Sequence, residues 1–208
     1  MSASSHTIQD VPTLIESEQI LNLVFKKART HNQFLNKPVP ETLLRQIYEY
    51  VSWGPTSMNS QPLRVRFMAS TEKREALAAC VYPGNKAKVM SAPVCAVFGM
   101  DLNFPSTLPA IFPHKLDAQA YYEGKPMLVE STAFRNSSLQ AAYFLMVARL
   151  LGLDCGPMSG FDHDKVDALC WAGVAVKTNF LCNLGYGDSS TVFARSPRFK
   201  FEEVCDVQ

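Results

Sequence analysis

Residues 131 to 151 limit most strongly what this chain can become. The run from Ser131 to Leu151 predicts one long helix, and its second half is apolar on almost every side. Such a helix cannot rest on a surface with one face in water. It belongs in a core or between subunits. Gly152, then Gly156-Pro157, predicts its stop. A chain of 208 residues has room for one domain around it. Residues 1–208 are therefore expected to form a single α+β domain behind a flexible tail at 1–12.

The remaining elements follow from shorter patterns. Pro12-Thr13 with Glu16 reads as a capped helix start, and Leu14, Leu21, Val24, Phe25 and Ala28 then form one apolar stripe. Pro40 opens a second helix with Leu43, Leu44, Ile47 and Val51 on its buried face, ended by Gly54-Pro55. Arg64 to Ala69 alternates and predicts a strand with one covered face. A helix over 71–80 and a loop at Tyr82-Pro83-Gly84-Asn85 follow, then an almost wholly apolar central strand over 93–100. Residues 101 to 128 carry prolines, adjacent tyrosines and little periodicity, the pattern of an irregular lid or insertion. A short helix over 164–170 and a strand over 179–186 precede an arginine-bearing C-terminal segment.

Composition excludes several functions. Twenty basic against 19 acidic residues leave a formal charge of +1, so bulk charge favours neither nucleic acid nor an anionic membrane. Any recognition of an anion must be local. The six cysteines form no C-x-x-C pair, no histidine stands at metal-ligand spacing from them, and several sit in apolar runs as small hydrophobes. Reduced thiols, and an N-terminus without a signal-peptide pattern, point to the cytoplasm. No run approaches the ~20 apolar residues of a membrane span.

The common catalytic signatures are absent. There is no G-x-G-x-x-G, no G-x-x-x-x-G-K-[ST], and Gly156-Pro157-Met158-Ser159-Gly160 places its serine one position late for a nucleophile elbow. Several short polar segments remain. Ala28-Arg29-Thr30-His31-Asn32 gathers a cation, a hydroxyl and an amide; Ser57, Asn59 and Gln61 crowd one turn; Asn85 and Lys88 are one helical turn apart; Arg195 and Arg198 lie near the C-terminus. Taken singly, each is also what a solvated helix end, turn or tail looks like.

Together and in order, these segments resemble the nitroreductase superfamily, from about Ala28 to Glu203. The family's R-R-S-x-R-x-F…P-V opening is matched at Thr30, Asn32, Phe34 and Pro38-Val39, with Ala28 where its first arginine stands and Arg29 one residue later. Its P-S-S/A-x-N-x-Q-P turn appears as Pro55-Thr56-Ser57-Met58-Asn59-Ser60-Gln61-Pro62, the most specific match. Its P-x-E-G-F loop reads Pro157-Met158-Ser159-Gly160-Phe161, with serine for glutamate. Its L-G-Y…R/K-x-R element is Leu184-Gly185-Tyr186 followed by Arg195 and Arg198. Four further strings, among them Trp53-Gly54-Pro55-Thr56-Ser57 and Ala133-Phe134-Arg135-Asn136-Ser137-Ser138, are similar to its RutE/HadB-like malonic semialdehyde reductases.

The resemblance implies a nitroreductase-like fold: a central mixed or antiparallel sheet flanked by helices, in an intertwined homodimer. It implies FMN as cofactor and NAD(P)H as co-substrate, with ping-pong hydride transfer through flavin N5 to a small aldehyde such as malonic semialdehyde. The alternatives are a broad nitro or quinone reductase of the same fold and a non-catalytic flavin-binding protein. The flavin, not a side chain, does the chemistry. Arg29, Thr30, Arg195 and Arg198 would hold its phosphate, with His31 beside them. Asn32 and Lys88 would stabilise charge at the N1/C2 edge, and Asn85 would read O4 and N3. The Pro157, Met158, Ser159 and Gly160 segment would donate a backbone N–H to N5. Pro55, Thr56, Ser57, Asn59 and Gln61 would come from the partner subunit. Arg135 is the candidate anchor for a substrate carboxylate; Phe112, His114, Tyr121 and Tyr122 are candidates for a lid; Arg64 or Arg66 would meet the extra phosphate of NADPH.

Overall fold

The computed structural model describes residues 14–208. The capping residues Pro12-Thr13 and the proposed tail at 1–12 lie outside the described residues. The first helix, α1 (Leu14–Leu21), runs into a π-helical turn, Asn22–Lys26. Among the stripe residues whose burial is described, Val24 is buried, Ala28 half-buried, and Leu21 and Phe25 exposed. Helix α2 (Glu41–Val51) buries Leu44, Ile47 and Val51 and is capped by Ser52, before the expected Gly54-Pro55 stop.

Four antiparallel strands form the sheet: β1 (Leu63–Met68), β2 (Val94–Asp101), β3 (Asp154–Met158) and β4 (Val176–Gly185), in the order β1-β2-β4-β3. The one parallel element is an isolated bridge between Thr30 and Cys155. Strand β2 is buried from end to end, as an almost unbroken apolar run between two neighbours must be. Its single charge, Asp101, pairs with Arg64 and accepts the Asn103 N–H at 2.7 Å. Strand β3 corrects the sequence reading, in which Gly156-Pro157 was a helix stop. Proline tolerates an edge position because no ladder hydrogen bond is required of it there.

Helices cover both faces. On one, α2 and α6 (Pro126–Leu150) pack Ile47, Val51, Ala141, Phe144 and Ala148 against Ala96, Phe98, Cys182 and Leu184. Phe98 meets Phe144 edge-on, ring centroids 5.2 Å apart. Each large apolar side chain so buried contributes roughly 1.5–3 kcal/mol. On the other face α3 (Thr71–Ala78), α4 (Pro83–Ser91) and α7 (His163–Cys170) press Leu77, Val89 and Val166 onto Cys95, Val97 and Leu181. Helix α4 replaces the expected loop at 82–85; Pro83 takes its first turn, where a missing N–H costs nothing. Residues 101–128 hold only short helical pieces, including α5 (Leu108–Ile111), around a small core of Met100, Phe104, Leu108, Tyr122 and Ala133.

Helix α6 begins five residues earlier than its periodicity predicts, at Pro126. Its inner face is core. Its outer face leaves Met127 84% and Phe134 54% exposed, with Leu139 and Ala142 also in water. A shallow hollow of about 530 Å³ lies there, lined by Ser131, Phe134, Arg135, Ser138, Leu139 and Ala142. The chain ends in an exposed segment carrying the short α8 (Phe201–Val204).

Candidate functional site

Two groups of predicted residues form, at diagonal corners of the sheet. Leu63 pairs with Met100, which pairs with Lys177 at the start of β4, whereas Asp154 pairs with Gly185 at its end. The Pro55–Gln61 turn sits at the first corner. The 29–32 segment sits at the second, bridged to β3.

At the β3 corner, backbone contacts join four segments. His31 N donates to Cys155 O at 3.1 Å; Ser91 Oγ donates to Asn32 O at 3.3 Å and to Lys88 O at 3.1 Å. Tyr82 N and Asn85 Nδ2 both donate to Gly160 O, at 3.1 and 2.9 Å. The β3–β4 ladder ends at Met158, so the N–H groups of Ser159 and Gly160 lie beyond its last pair. Asn85 thus fixes the 157–160 turn with its amide nitrogen and keeps Oδ1 as an acceptor. Lys88 is half-buried in the last turn of α4.

Beside these segments opens a cleft of about 690 Å³, whose lining includes Lys26, Ala28, Arg29, Thr30, Asn32, Arg149, Arg195 and Arg198. Among the described residues no carboxylate lines it. Among the described residues none of its four arginines is ion-paired. Their donors go to backbone carbonyls instead. Arg29 donates to Phe193 O; Arg195 to Lys26 O at 2.7 Å and Ala28 O at 3.1 Å; Arg198 to Ser196 O and Pro197 O, both at 2.9 Å; Arg149 to Val24 O at 3.1 Å. Arg149 Nε is buried without a partner. Leaving such a donor unpaired costs about 1–3 kcal/mol, more on a charged group. In a chain of net charge +1, this concentration of cations could hold an anion. Its guanidinium and hydroxyl donors suit a phosphate.

His31 does not line this cleft. It is buried, its Nδ1 3.4 Å from Asp154 Oδ1 and 3.2 Å from Arg29 O. A methyl group at Gly187 would collide with its ring, and one at Gly156 with its carbonyl oxygen. His31 therefore fastens the 29–32 segment to the sheet. The side chain was read as part of the site; it acts behind it.

At the other corner the 55–61 turn is strained: Met58, Asn59 and Gln61 have φ of 51°, 49° and 40°. A left-handed residue other than glycine costs roughly 1–2 kcal/mol, and such strain tends to gather at functional sites. The turn is held by Asn136, whose Oδ1 accepts Ser57 N at 2.8 Å, by Tyr143 O–H to Pro55 O at 3.2 Å, and by Gln140, which accepts Leu63 N at 3.0 Å. Thr56 Oγ1 accepts Gln61 N at 3.3 Å, Gln61 Nε2 donates to Asn59 Oδ1 at 3.0 Å, and Asn59 Nδ2 donates to Ile111 O at 2.7 Å. The sequence reading missed Asn136, Gln140 and Arg149. Buried polar residues on a long apolar helix were the available signal for the first two.

Phe112 and His114 stack beside this turn with centroids 4.0 Å apart, and Tyr121 is exposed against Lys125. Tyr122 is core, so it cannot serve as a lid. Arg135 is exposed on the outer face of α6. Arg64 is committed to Asp101, Gln61 O and Leu63 O, and Arg66 lies 5.4 Å over the Trp171 ring. Arg64 is therefore not a free anion site, while Arg66 is exposed. Among the described residues no helix is long and apolar enough to cross a membrane.

The Nitroreductase family pattern matches residues 25–186. A proposed NADH dehydrogenase/NAD(P)H nitroreductase of Polynucleobacter asymbioticus is 50% identical over 191 residues, covering 92% of this chain and 97% of that one. A protein of Ralstonia pickettii described in the same terms, HadB, is 48% identical over 189 residues, covering 90% and 96%. The solved structure of a proposed nitroreductase from Exiguobacterium sibiricum, in complex with FMN, shares the fold with a TM-score of 0.81 at 19% identity, covering 91% and 97%. With the sheet order, the two corner groups and these matches in agreement, the chain belongs to the nitroreductase family and is an oxidoreductase.

Proposed function

We propose that this protein is an FMN-dependent NAD(P)H oxidoreductase whose physiological acceptor is a small aldehyde of the malonic semialdehyde kind, giving 3-hydroxypropionate. One observation carries the reading: arginines without an ion pair among the described residues line a cleft shared with Thr30 and Asn32, and Ser91 ties Asn32 to Lys88. When bound, FMN supplies a hydride store at N5, filled by NAD(P)H and emptied to the acceptor.

The protein's part is to hold, orient and tune. Arg29, Arg195, Arg198 and Thr30 grip the phosphate. Lys88 and Asn32 favour negative charge at the N1/C2 edge. Asn85 Oδ1 would accept from N3, and a backbone N–H of Ser159 or Gly160 would donate to N5. Serine replaces glutamate at position 159 without loss because the main chain is the donor. The strained 55–61 turn lies too far across the sheet to reach this cleft in its own subunit. A second copy of the chain, packed on the outer face of α6, brings it there, so the working unit is a homodimer. Arg135 on that face is the candidate carboxylate anchor, with Phe112, His114 and Tyr121 bordering the acceptor.

The test begins with purified protein: a yellow spectrum with one FMN per subunit, bleached anaerobically by NADH or NADPH. Turnover of 3-oxopropanoate is then compared with that of a nitroaromatic. A colourless protein that FMN cannot reconstitute would end this reading. The names of the relatives favour a nitro acceptor instead; a kcat/KM for the nitroaromatic equal to or above that for the aldehyde would establish that alternative. Bound flavin that neither nucleotide bleaches would mark a non-catalytic carrier.

A further inference from the structure

Arg149 carries a property that no role so far explains. It stands in the last turn of α6, yet its side chain lines the cleft shared by the first helix and the C-terminal segment. Nη1 is used on Val24 O at 3.1 Å, while Nε is buried and unpaired. No carboxylate balances the charge among the described residues. Buried donors in folded proteins nearly always have acceptors, and buried charges nearly always have counter-charges. A half-buried guanidinium with one buried, unpaired N–H and no ion pair among the described residues, at the wall of a cleft lined by other cations, is suited to an anion.

The same cleft is lined by Ala28, a methyl group at the position where the family resemblance calls for arginine. Arg195 already satisfies the Lys26 and Ala28 carbonyls at the end of the first helix. Capping that helix end therefore does not account for a second guanidinium, of which one donor suffices for Val24. An alanine at 28 also leaves room that a longer side chain would fill.

We propose that Arg149 is a phosphate-binding residue of this protein, supplying from the end of α6 the cation that Ala28 lacks. The inference rests on the FMN reading of the cleft, and riboflavin, which lacks the phosphate, separates the two. The experiment measures the dissociation constants of FMN and riboflavin by fluorescence quenching, in reconstituted wild type and in Arg149→Gln, with circular dichroism to confirm folding. Loss of a charged contact to phosphate weakens FMN by about tenfold or more while leaving riboflavin within about twofold. Equal weakening of both flavins would show Arg149 to be only a staple for Val24, and the proposal would be wrong. A wild type that binds neither flavin removes the cofactor reading itself. Ala28→Arg gives a second readout that leaves Arg149 in place. Alone it is expected to change the FMN-to-riboflavin preference less than about twofold, and in the Arg149→Gln background to restore it. A large gain from Ala28→Arg alone, or no restoration in the double variant, would contradict the compensation.

Discussion

At the scale of single residues, the protein separates groups that touch a ligand from groups that hold those groups in place. The proposed function puts Lys88 in the first kind: replacing it with alanine is then expected to lower the midpoint potential of the bound flavin by about 30 mV, equivalent to about 1.4 kcal/mol of lost charge stabilisation. A spectroelectrochemical titration of both proteins measures it, and an unchanged potential would move Lys88 out of the site. The cysteines belong to neither kind. Burial pushes the thiols of Cys95 and Cys170 up to about 12, and desolvation raises Cys182 as well. Thiolate is the reactive form, so a thiol reagent at pH 8 is expected to modify Cys205 quickly and Cys80 slowly. The four buried cysteines become reactive only on unfolding. Rapid labelling of Cys95 in the native protein would contradict that burial.

At the scale of elements, the 55–61 turn and α6 act together. The turn holds three left-handed residues because the helix beneath it supplies fixed partners. Asn136 uses both ends of its amide there, accepting from Ser57 N and donating to Thr132 O at 2.9 Å. Asn136→Ala is expected to cost about 1–3 kcal/mol in a urea titration, from a buried group lost and its partners left unpaired. If the turn serves the other subunit's cofactor, the same variant also releases FMN more readily. A variant of full stability with unaltered FMN retention would show that Asn136 does not hold the turn.

At the scale of the whole molecule, the outer face of α6 and the first helix leave large apolar side chains in water, and the proposed homodimer would cover them. Phe134→Glu places a charge in the middle of the α6 face. It is expected to shift the protein from dimer to monomer by light scattering and to strip its flavin in the same step. A flavin-loaded monomer would remove the shared-site arrangement. Global stability should also depend on alkaline pH with a definite sign. The folded state holds the Cys95 and Cys170 protons more tightly than the unfolded chain, in which thiols ionise near their ordinary value of 9.0. Stability from these groups is therefore complete below about pH 9 and is lost as pH rises toward about 12. Denaturation midpoints that stay level from pH 8 to pH 11 would contradict it.

The residues alone determined whatever depends on neighbours in the chain. The apolar periodicity of α2 and α6 and the unbroken run of β2 are local consequences of burial, so they could be read directly. The family's ordered motifs could be read too, because each is a short string. Tertiary structure decided the rest. Strand β3 was hidden because Gly156-Pro157 has no strand preference of its own; only the free edge beside β4 makes it a strand. His31 is expected from the sequence beside the phosphate, but the space that Gly156 and Gly187 leave for it lies behind the cleft. Arg29 and Phe193 stand 164 positions apart, and Arg149 and Val24 stand 125 apart, so no spacing rule links them. What joins them is the folding of a long helix and two distant chain segments onto one edge of a sheet, which gathers cations that the sequence keeps far apart.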